Sequence, residues 1–275
     1  MDAFARGGLR FDVVDAGPAD GEVVLCLHGF PQDSAAYAGV LPLLTARGLR
    51  VLVPDQRGYS PGARPAQRRD YALRELVADA VALLDAAGAP RAHVVGHDWG
   101  GVVAWALAAW FPERVSALTA LSQPHPAAFQ SAVLTSTQAV RSTYVAAFQL
   151  PLLPERLLLA GGGRLLSASL QRSGLPADLA RGYAHRMGEP GRLTAALDWY
   201  RALPHAGRVG PVDVPVTYLH GRQDPFYAPA AVLGTAAHVR GSSFRRQALG
   251  IGHWVPELAP QAVADAVLEA VDAHS

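Results

Sequence analysis

The sequence has a single cysteine and no lysine in 275 residues. One thiol, Cys26, excludes an internal disulfide framework and any zinc site built from several cysteines. It lies inside an apolar run, where a thiol reads as a small core side chain rather than a nucleophile. All 24 basic residues are arginine and are set against 23 acidic ones, so the formal net charge is only +1. So even a balance lacks the electrostatic footprint of a nucleic-acid binder or of a protein drawn to anionic lipid, and no nucleic-acid or membrane partner is expected. Long apolar runs are also missing. No stretch reaches the roughly 18 to 20 residues of a membrane span, and Met1 to Gly8 lacks the apolar centre of a secretory signal. A soluble cytoplasmic protein is the expectation. The lysine-free composition, rich in Ala, Gly and Pro, fits a GC-rich bacterial genome, which bears on origin and not on function.

Half of the residues are apolar, enough for one large α/β domain or one such domain carrying an insertion. The densest signal is Val94-Val95-Gly96-His97-Asp98-Trp99-Gly100-Gly101. An apolar run leads in and an Ala-rich helical run, Val102 to Phe111, leads out, which reads as strand, sharp turn and helix. A turn this tight strains its central residue and leaves no room for side chains two positions either side, hence Gly96 and Gly100. In the G-x-S-x-G nucleophile elbow that central residue is serine, but here it is Asp98. A carboxylate is already an anion at neutral pH and needs no base for its first attack. It suits displacement at a saturated carbon, which leaves an alkyl ester that water must cleave. His97, next to Asp98, reads as packing beside the elbow, because a base must approach from the opposite loop.

The rest of the chain supplies strands whose ends carry polar loops. Leu9 to Ala16 and Val23 to Leu27 read as strands, the second ending in His28-Gly29-Phe30-Pro31. A loop there would supply a second oxyanion donor, the Phe30 backbone N–H, beside that of Trp99. Ala35 to Gly48 reads as a helix and Arg50 to Val53 as a buried strand. The loop after it carries Asp55 and Arg57, expected as a structural ion pair or loop brace. Leu73 to Ala87 has helical spacing, and Val115 to Leu121 is a further strand. The pattern is that of a mostly parallel sheet with helices on both faces.

From Ser122 to about Gly210 strand signals vanish. Helical stretches such as Ala127 to Gln149 take their place, far longer than the roughly 2 to 6 residues of an ordinary connection. Residues 123–210 are therefore expected to form an inserted helical cap, with 1–122 and 211–275 as the core; such a cap would exclude water from Asp98. His125 and His205 flank the cap as candidate hinge contacts. Val214 to His220 and Ser243 to Leu249 resume the sheet, and Pro256 to Ala273 reads as a closing helix. Asp224 follows the first of these strands and His253 the second, so nucleophile, acid and histidine come in the hydrolase order. Trp105, Trp110 and Phe111 read as core.

These residues make the chain resemble the α/β-hydrolase-fold epoxide hydrolases, the Asp-nucleophile branch shared with haloalkane dehalogenases. His28-Gly29-Phe30-Pro31 is similar to the family's oxyanion motif, Gly96 to Gly101 to its elbow, and Asp224 and His253 to its acid and base. Two cap tyrosines are part of the resemblance: Tyr144, upstream of Phe148-Gln149, and Tyr200, within Trp199-Tyr200-Arg201. It implies that Tyr144 and Tyr200 polarise an epoxide oxygen while Asp98 attacks carbon. His253, oriented by Asp224, would then activate water, with the Phe30 and Trp99 amides as oxyanion hole. The expected partners are a small epoxide and water, with a homodimer left open and no metal or organic cofactor implied. Two other readings stand beside it: a haloalkane dehalogenase with the same Asp98, His253 and Asp224, and a non-catalytic small-molecule-binding protein on this fold. Phe30 after the His-Gly, where dehalogenases commonly have Asn, and the paired tyrosines favour the epoxide. A dehalogenase could use the Trp99 indole N–H to hold halide.

Overall fold

The computed structural model describes residues 1–273; the last two residues of the expected core lie outside the described residues. Eight strands form its sheet: β1 (Ala3–Arg6), β2 (Leu9–Ala16), β3 (Val23–Leu27), β4 (Arg50–Pro54), β5 (Ala92–His97), β6 (Val115–Leu121), β7 (Val216–Gly221) and β8 (Phe244–Leu249). Their spatial order is β1-β2-β4-β3-β5-β6-β7-β8. β1 and β2 pair antiparallel, and β2 is antiparallel to β4. The strands from β4 to β8 across the sheet run parallel.

The period-2 alternation of a strand explains why runs such as Val23-Val24-Leu25-Cys26-Leu27 are apolar throughout. Val24, Cys26, Val51, Val53 and Val95 face one layer, packed with Leu44 of α1 (Leu41–Thr45) and Val263 and Val267 near the C-terminus. Leu25, Leu27, Leu52 and Val94 face the other, against α2 (Leu73–Ala86) and α3 (Trp99–Trp110). Each fully buried Val or Leu contributes about 1.5 to 3 kcal/mol, so both faces must be covered for the sheet to hold.

Between β6 and β7 come six helices: α4 (Pro126–Thr135), α5 (Gln138–Arg141), α6 (Thr143–Phe148), α7 (Leu153–Arg172), α8 (Ala177–Met187) and α9 (Arg192–Arg201). The expected stretch 127–149 is thus three helices. Ser136 breaks it by turning its hydroxyl back to the Ala132 carbonyl and accepting the Gln138 N–H, local bonds that compete with the helical ladder. α7 is itself interrupted at residues 160–163, a short non-helical segment. His125 fastens both ends of this excursion: Nδ1 accepts the Ala127 N–H at 3.1 Å and Nε2 donates to the Gly210 carbonyl at 3.0 Å. Across the sheet edge, Asp33 pairs with Arg186 and Arg192, and Glu189 pairs with Arg64. The Trp199 indole N–H donates to the Arg57 carbonyl at 2.9 Å.

The chain closes through α10 (Pro229–Gly234), α11 (Val255–Leu258) and α12 (Pro260–Asp272). The single final helix expected from the sequence is two, because Ala259 precedes Pro260 and is pushed out of the helical region, to φ −140° and ψ 51°. The helix expected over 35–48 is a 3-10 turn at Ser34–Tyr37 followed by the short α1, which begins afresh at Leu41 with Pro42 in its first turn. β1 has no counterpart in the sequence reading; four residues with one fully buried side chain carry too little pattern. Trp105 is fully buried, as expected, but Trp110 and Phe111 are only partly so, since α3 ends at the molecular surface. Among the described residues no helix is long and apolar enough to cross a membrane.

Candidate active site

Asp98 sits between the last residue of β5 and the first of α3 with φ +50° and ψ −121°, a conformation that costs an L-residue free energy and persists only under constraint. The constraint is close backbone approach. A Cβ on Gly100 would lie 2.1 Å from the Leu27 carbonyl oxygen, and one on Gly96 would lie 2.4 Å from that of Gly100. The loop after β3 presses on the elbow equally closely, since a Cβ on Gly29 would lie 2.4 Å from the Asp98 Cβ.

The two carboxylate oxygens of Asp98 have different surroundings. Oδ1 accepts the Phe30 N–H at 2.9 Å. Oδ2 lies 3.6 Å from His253 Nε2 and 3.4 Å from the Tyr227 hydroxyl. Trp99 follows in the first turn of α3, where a backbone N–H has no partner within its own helix. Burial alone would raise the Asp98 pKa, but the hydrogen bond and charge of His253, helped by the Phe30 amide, hold it at about 2. His253 Nδ1 donates to Asp224 Oδ2 at 2.8 Å, and Asp224 Oδ1 accepts the Phe226 N–H at 2.8 Å. Burial disfavours the imidazolium of His253, yet the charges of Asp224 and Asp98 outweigh it and push the pKa up to about 10.

The loop that carries His253 is held by its carbonyl. That oxygen receives the Ser122 hydroxyl at 2.7 Å and lies 2.9 Å from His97 Nε2. His97 Nδ1 is 2.8 Å from Gln32 Oε1, which also accepts the Gly29 N–H, while Gln32 Nε2 donates to Glu257 at 2.7 Å. Burial and the His253 charge push His97 down to about 3. It packs beside the elbow, as its place in the sequence suggested, and sits in a brace between the loop after β3 and the loop after β8. Arg57 is a brace too, with Asp79 as its carboxylate, bonded through Nε and Nη2 at 2.7 Å. Asp55 instead accepts the Ser34 N–H. An ion pair within the loop would need the two side chains to converge, and each is drawn to a different neighbour.

Two cavities meet above Asp98. The smaller, about 150 Å³, is lined by Phe30, Phe148, Leu166, Phe226, His253 and Trp254 among others. The larger, about 470 Å³, is lined on its far side by Trp99, Val102, Phe129, Val133 and Tyr227. Asp98, Tyr144 and Tyr200 border both. The two tyrosine rings are 6.1 Å apart, and Tyr200 packs edge to face on Trp99 at 5.0 Å. Burial raises both phenol pKa values, and the Asp98 charge raises them further, so both stay protonated. Asp98, His253, Asp224, Tyr144, Tyr200, Phe30 and Trp99 therefore converge on one place. Among the described residues no group of three His, Cys, Asp or Glu side chains is arranged to hold a metal ion. The sequence reading missed Tyr227, Gln123, Gln32 and Glu257; their one signal is position, since each follows a strand-end motif by a few residues.

An α/β-hydrolase-fold family model matches residues 22–260. The chain is 34% identical to the AB hydrolase superfamily protein YfhM of Bacillus subtilis, covering 95% of this chain and 94% of that one. It is 32% identical to epoxide hydrolase A of Mycobacterium tuberculosis, again covering 95% and 94%. Among solved structures, epoxide hydrolase A of Mycobacterium thermoresistibile superposes with a TM-score of 0.83 at 26% identity, covering 99% of this chain and 98% of that one. The Bacillus megaterium epoxide hydrolase in complex with an inhibitor gives 0.85 at 25% identity, covering 98% and 99%. A family model over most of the chain, an epoxide hydrolase relative 32% identical along nearly its whole length and superposition on solved epoxide hydrolases lead to one placement: the chain belongs to the α/β-hydrolase family and, within it, to the epoxide hydrolases.

Proposed function

We propose that the chain hydrolyses epoxides to vicinal diols through an ester on Asp98, with residues 123–210 acting as a cap over a core made by the flanking segments. The observation that carries this reading is the asymmetry of the Asp98 carboxylate. Oδ1 is engaged by the Phe30 amide, and Oδ2 is turned toward His253 beneath two protonated phenols. Oδ2 attacks a ring carbon, the carbon–oxygen bond of the ring breaks, and its electron pair goes to the departing oxygen. Tyr144 and Tyr200 hydrogen-bond that oxygen as it becomes an alkoxide and supply its proton, in a site where a neutral donor is worth more than in water.

Esterification removes the negative charge of Asp98. His253 then loses one of the two anions that keep it protonated, its proton affinity falls, and it releases its proton to solvent. The neutral imidazole can take a proton from water, the lost proton returning from solvent when the Asp98 anion is restored. Asp224 holds the ring in the tautomer that offers Nε2. The water oxygen adds to the Asp98 carbonyl carbon, and the negative charge on Oδ1 is met by the Phe30 and Trp99 amides. Collapse breaks the bond from that carbon to Oδ2, the His253 proton passes to the leaving alkoxide, and the diol departs. The second hydrogen of the water restores the tyrosine phenol.

His253→Gln separates the two steps. Incubated with terminal and aromatic epoxides, it is expected to gain the mass of a whole epoxide per chain, and the gain is expected to vanish when Asp98 is also changed to Ala. A gain of an alkyl group from bromoalkanes alone would assign dehalogenation, and no gain from either panel would remove the ester from the mechanism.

A further inference from the structure

Tyr227 is a third buried phenol at the nucleophile, and the tyrosine pair gives it no role. Its hydroxyl has two acceptors within reach, the Gln123 Oε1 in a short contact and Asp98 Oδ2 at 3.4 Å. A phenol has one hydrogen to give, so the partner it chooses decides whether the attacking oxygen is hydrogen-bonded or bare. We propose that Gln123 is a positioning residue that draws the Tyr227 hydrogen away from Asp98 Oδ2 and so keeps that oxygen free to attack carbon. This rests on the Asp98 ester reading and adds to it a device that sets the reactivity of one oxygen.

Gln123 is built to hold this orientation. Its Nε2 donates to the Pro124 carbonyl at 2.9 Å, which fixes the amide so that Oε1 faces Tyr227. Its own carbonyl accepts the Trp105 indole N–H at 3.1 Å, and Gly101 leaves just enough room for it, since a Cβ there would lie 2.6 Å from the Gln123 Cβ. Tyr227 in turn is carried by the loop that begins at Asp224, and its ring lies 5.8 Å from that of His253. Without the amide oxygen, the phenol would turn to the carboxylate, because a hydrogen bond to an ion is about twice as strong as one to a neutral acceptor. That bond would engage the lone pair needed for attack.

The test is a double-mutant cycle read on ester formation alone, in the His253→Gln background where the ester accumulates. The rate of mass gain from styrene oxide is followed by rapid quench. Gln123→Leu is expected to slow it about tenfold or more when Tyr227 is present, a change of about 1.4 kcal/mol in the barrier. In Tyr227→Phe the same Gln123→Leu change is expected to cost less than about threefold, because no hydroxyl remains to quench Oδ2. Loss of the Pro124 contact is common to both arms and cancels. Gln123→Met repeats the cycle with a side chain of similar length, so that a folding defect in the Leu variant does not decide the outcome. Equal costs with and without the Tyr227 hydroxyl would overturn the proposal. Absence of any adduct in the His253→Gln parent would overturn the ester reading and this device with it, a result distinct from a cycle that forms adduct but shows no coupling.

Discussion

Beneath the two cavities, Asp98, His253 and Asp224 form a chain of charged groups with contacts of 3.6 and 2.8 Å. Above them Tyr144, Phe148 and Tyr200 meet edge to face, with ring centres 5.1 to 6.1 Å apart, and the Phe30 ring joins them. The floor comes from strand ends of the sheet and is made of ions fixed by backbone N–H groups. The roof comes from helices α6 and α9 and is made of neutral donors on aromatic rings. A fixed ion pair suits a nucleophile and base that must exist before substrate arrives. A neutral phenol suits charge that appears only during reaction, because it carries no unpaired ion into an apolar cavity while the site waits.

Four changes break or sharpen that contrast. The largest effect is expected from the floor: Asp98→Ala removes the proposed nucleophile, and steady-state turnover of any epoxide should fall by about 10⁴-fold or more. From the roof, Tyr144→Phe and Tyr200→Phe should each lower kcat/KM by about 10- to 100-fold and together by more than about a thousandfold. Near-normal activity in the pair would return both rings to a packing role.

A pH profile distinguishes the two steps. In the proposed mechanism ester formation needs ionised Asp98, and with a pKa of about 2 that requirement is met throughout the ordinary range, so kcat/KM should be flat on its acid side. In the same proposal ester hydrolysis needs unprotonated His253, which the free chain protonates up to about 10. The ester lacks the Asp98 charge, so the imidazole releases its proton at lower pH, and kcat should rise between about pH 6 and 9 before levelling. Parallel profiles for the two parameters would place the base elsewhere. The smallest effect belongs to the fastening between roof and floor. Glu189 bonds Arg64 and Arg192 at 2.8 and 2.9 Å but is 40% exposed, so Glu189→Gln should cost less than about 1 kcal/mol and shift Tm by no more than about 4 °C in thermal unfolding.

The floor was more legible in the sequence than the roof. Gly96, Gly100 and Gly29 are dictated by contacts no other residue could make, so the elbow and its facing loop leave a mark in residue types, and Asp224 and His253 inherit theirs from strand order. The sheet itself follows from apolar runs that need both faces covered. Helix ends were harder everywhere, because Ser136, in the helical excursion, breaks a helix through its own hydroxyl and Ala259, near the C-terminus, through the proline after it, effects that periodicity does not register. Tyr144 and Tyr200 were found by resemblance, since an aromatic on a helix reads as core. Gln123 and Tyr227 gave no signal beyond their place after strand ends, because their meaning lies in one hydrogen atom shared between chain positions 104 residues apart.

The imidazole of His125 bonds residues on either side of the whole helical excursion. To the sheet, everything between is a closed loop whose entrance and exit are one knot. That topology suggests a constraint on remodelling: α4 to α9 enter and leave the sheet at one point, so a graft of this unit would leave the strand register alone but would have to bring its own phenols to where Tyr144 and Tyr200 stand over Asp98.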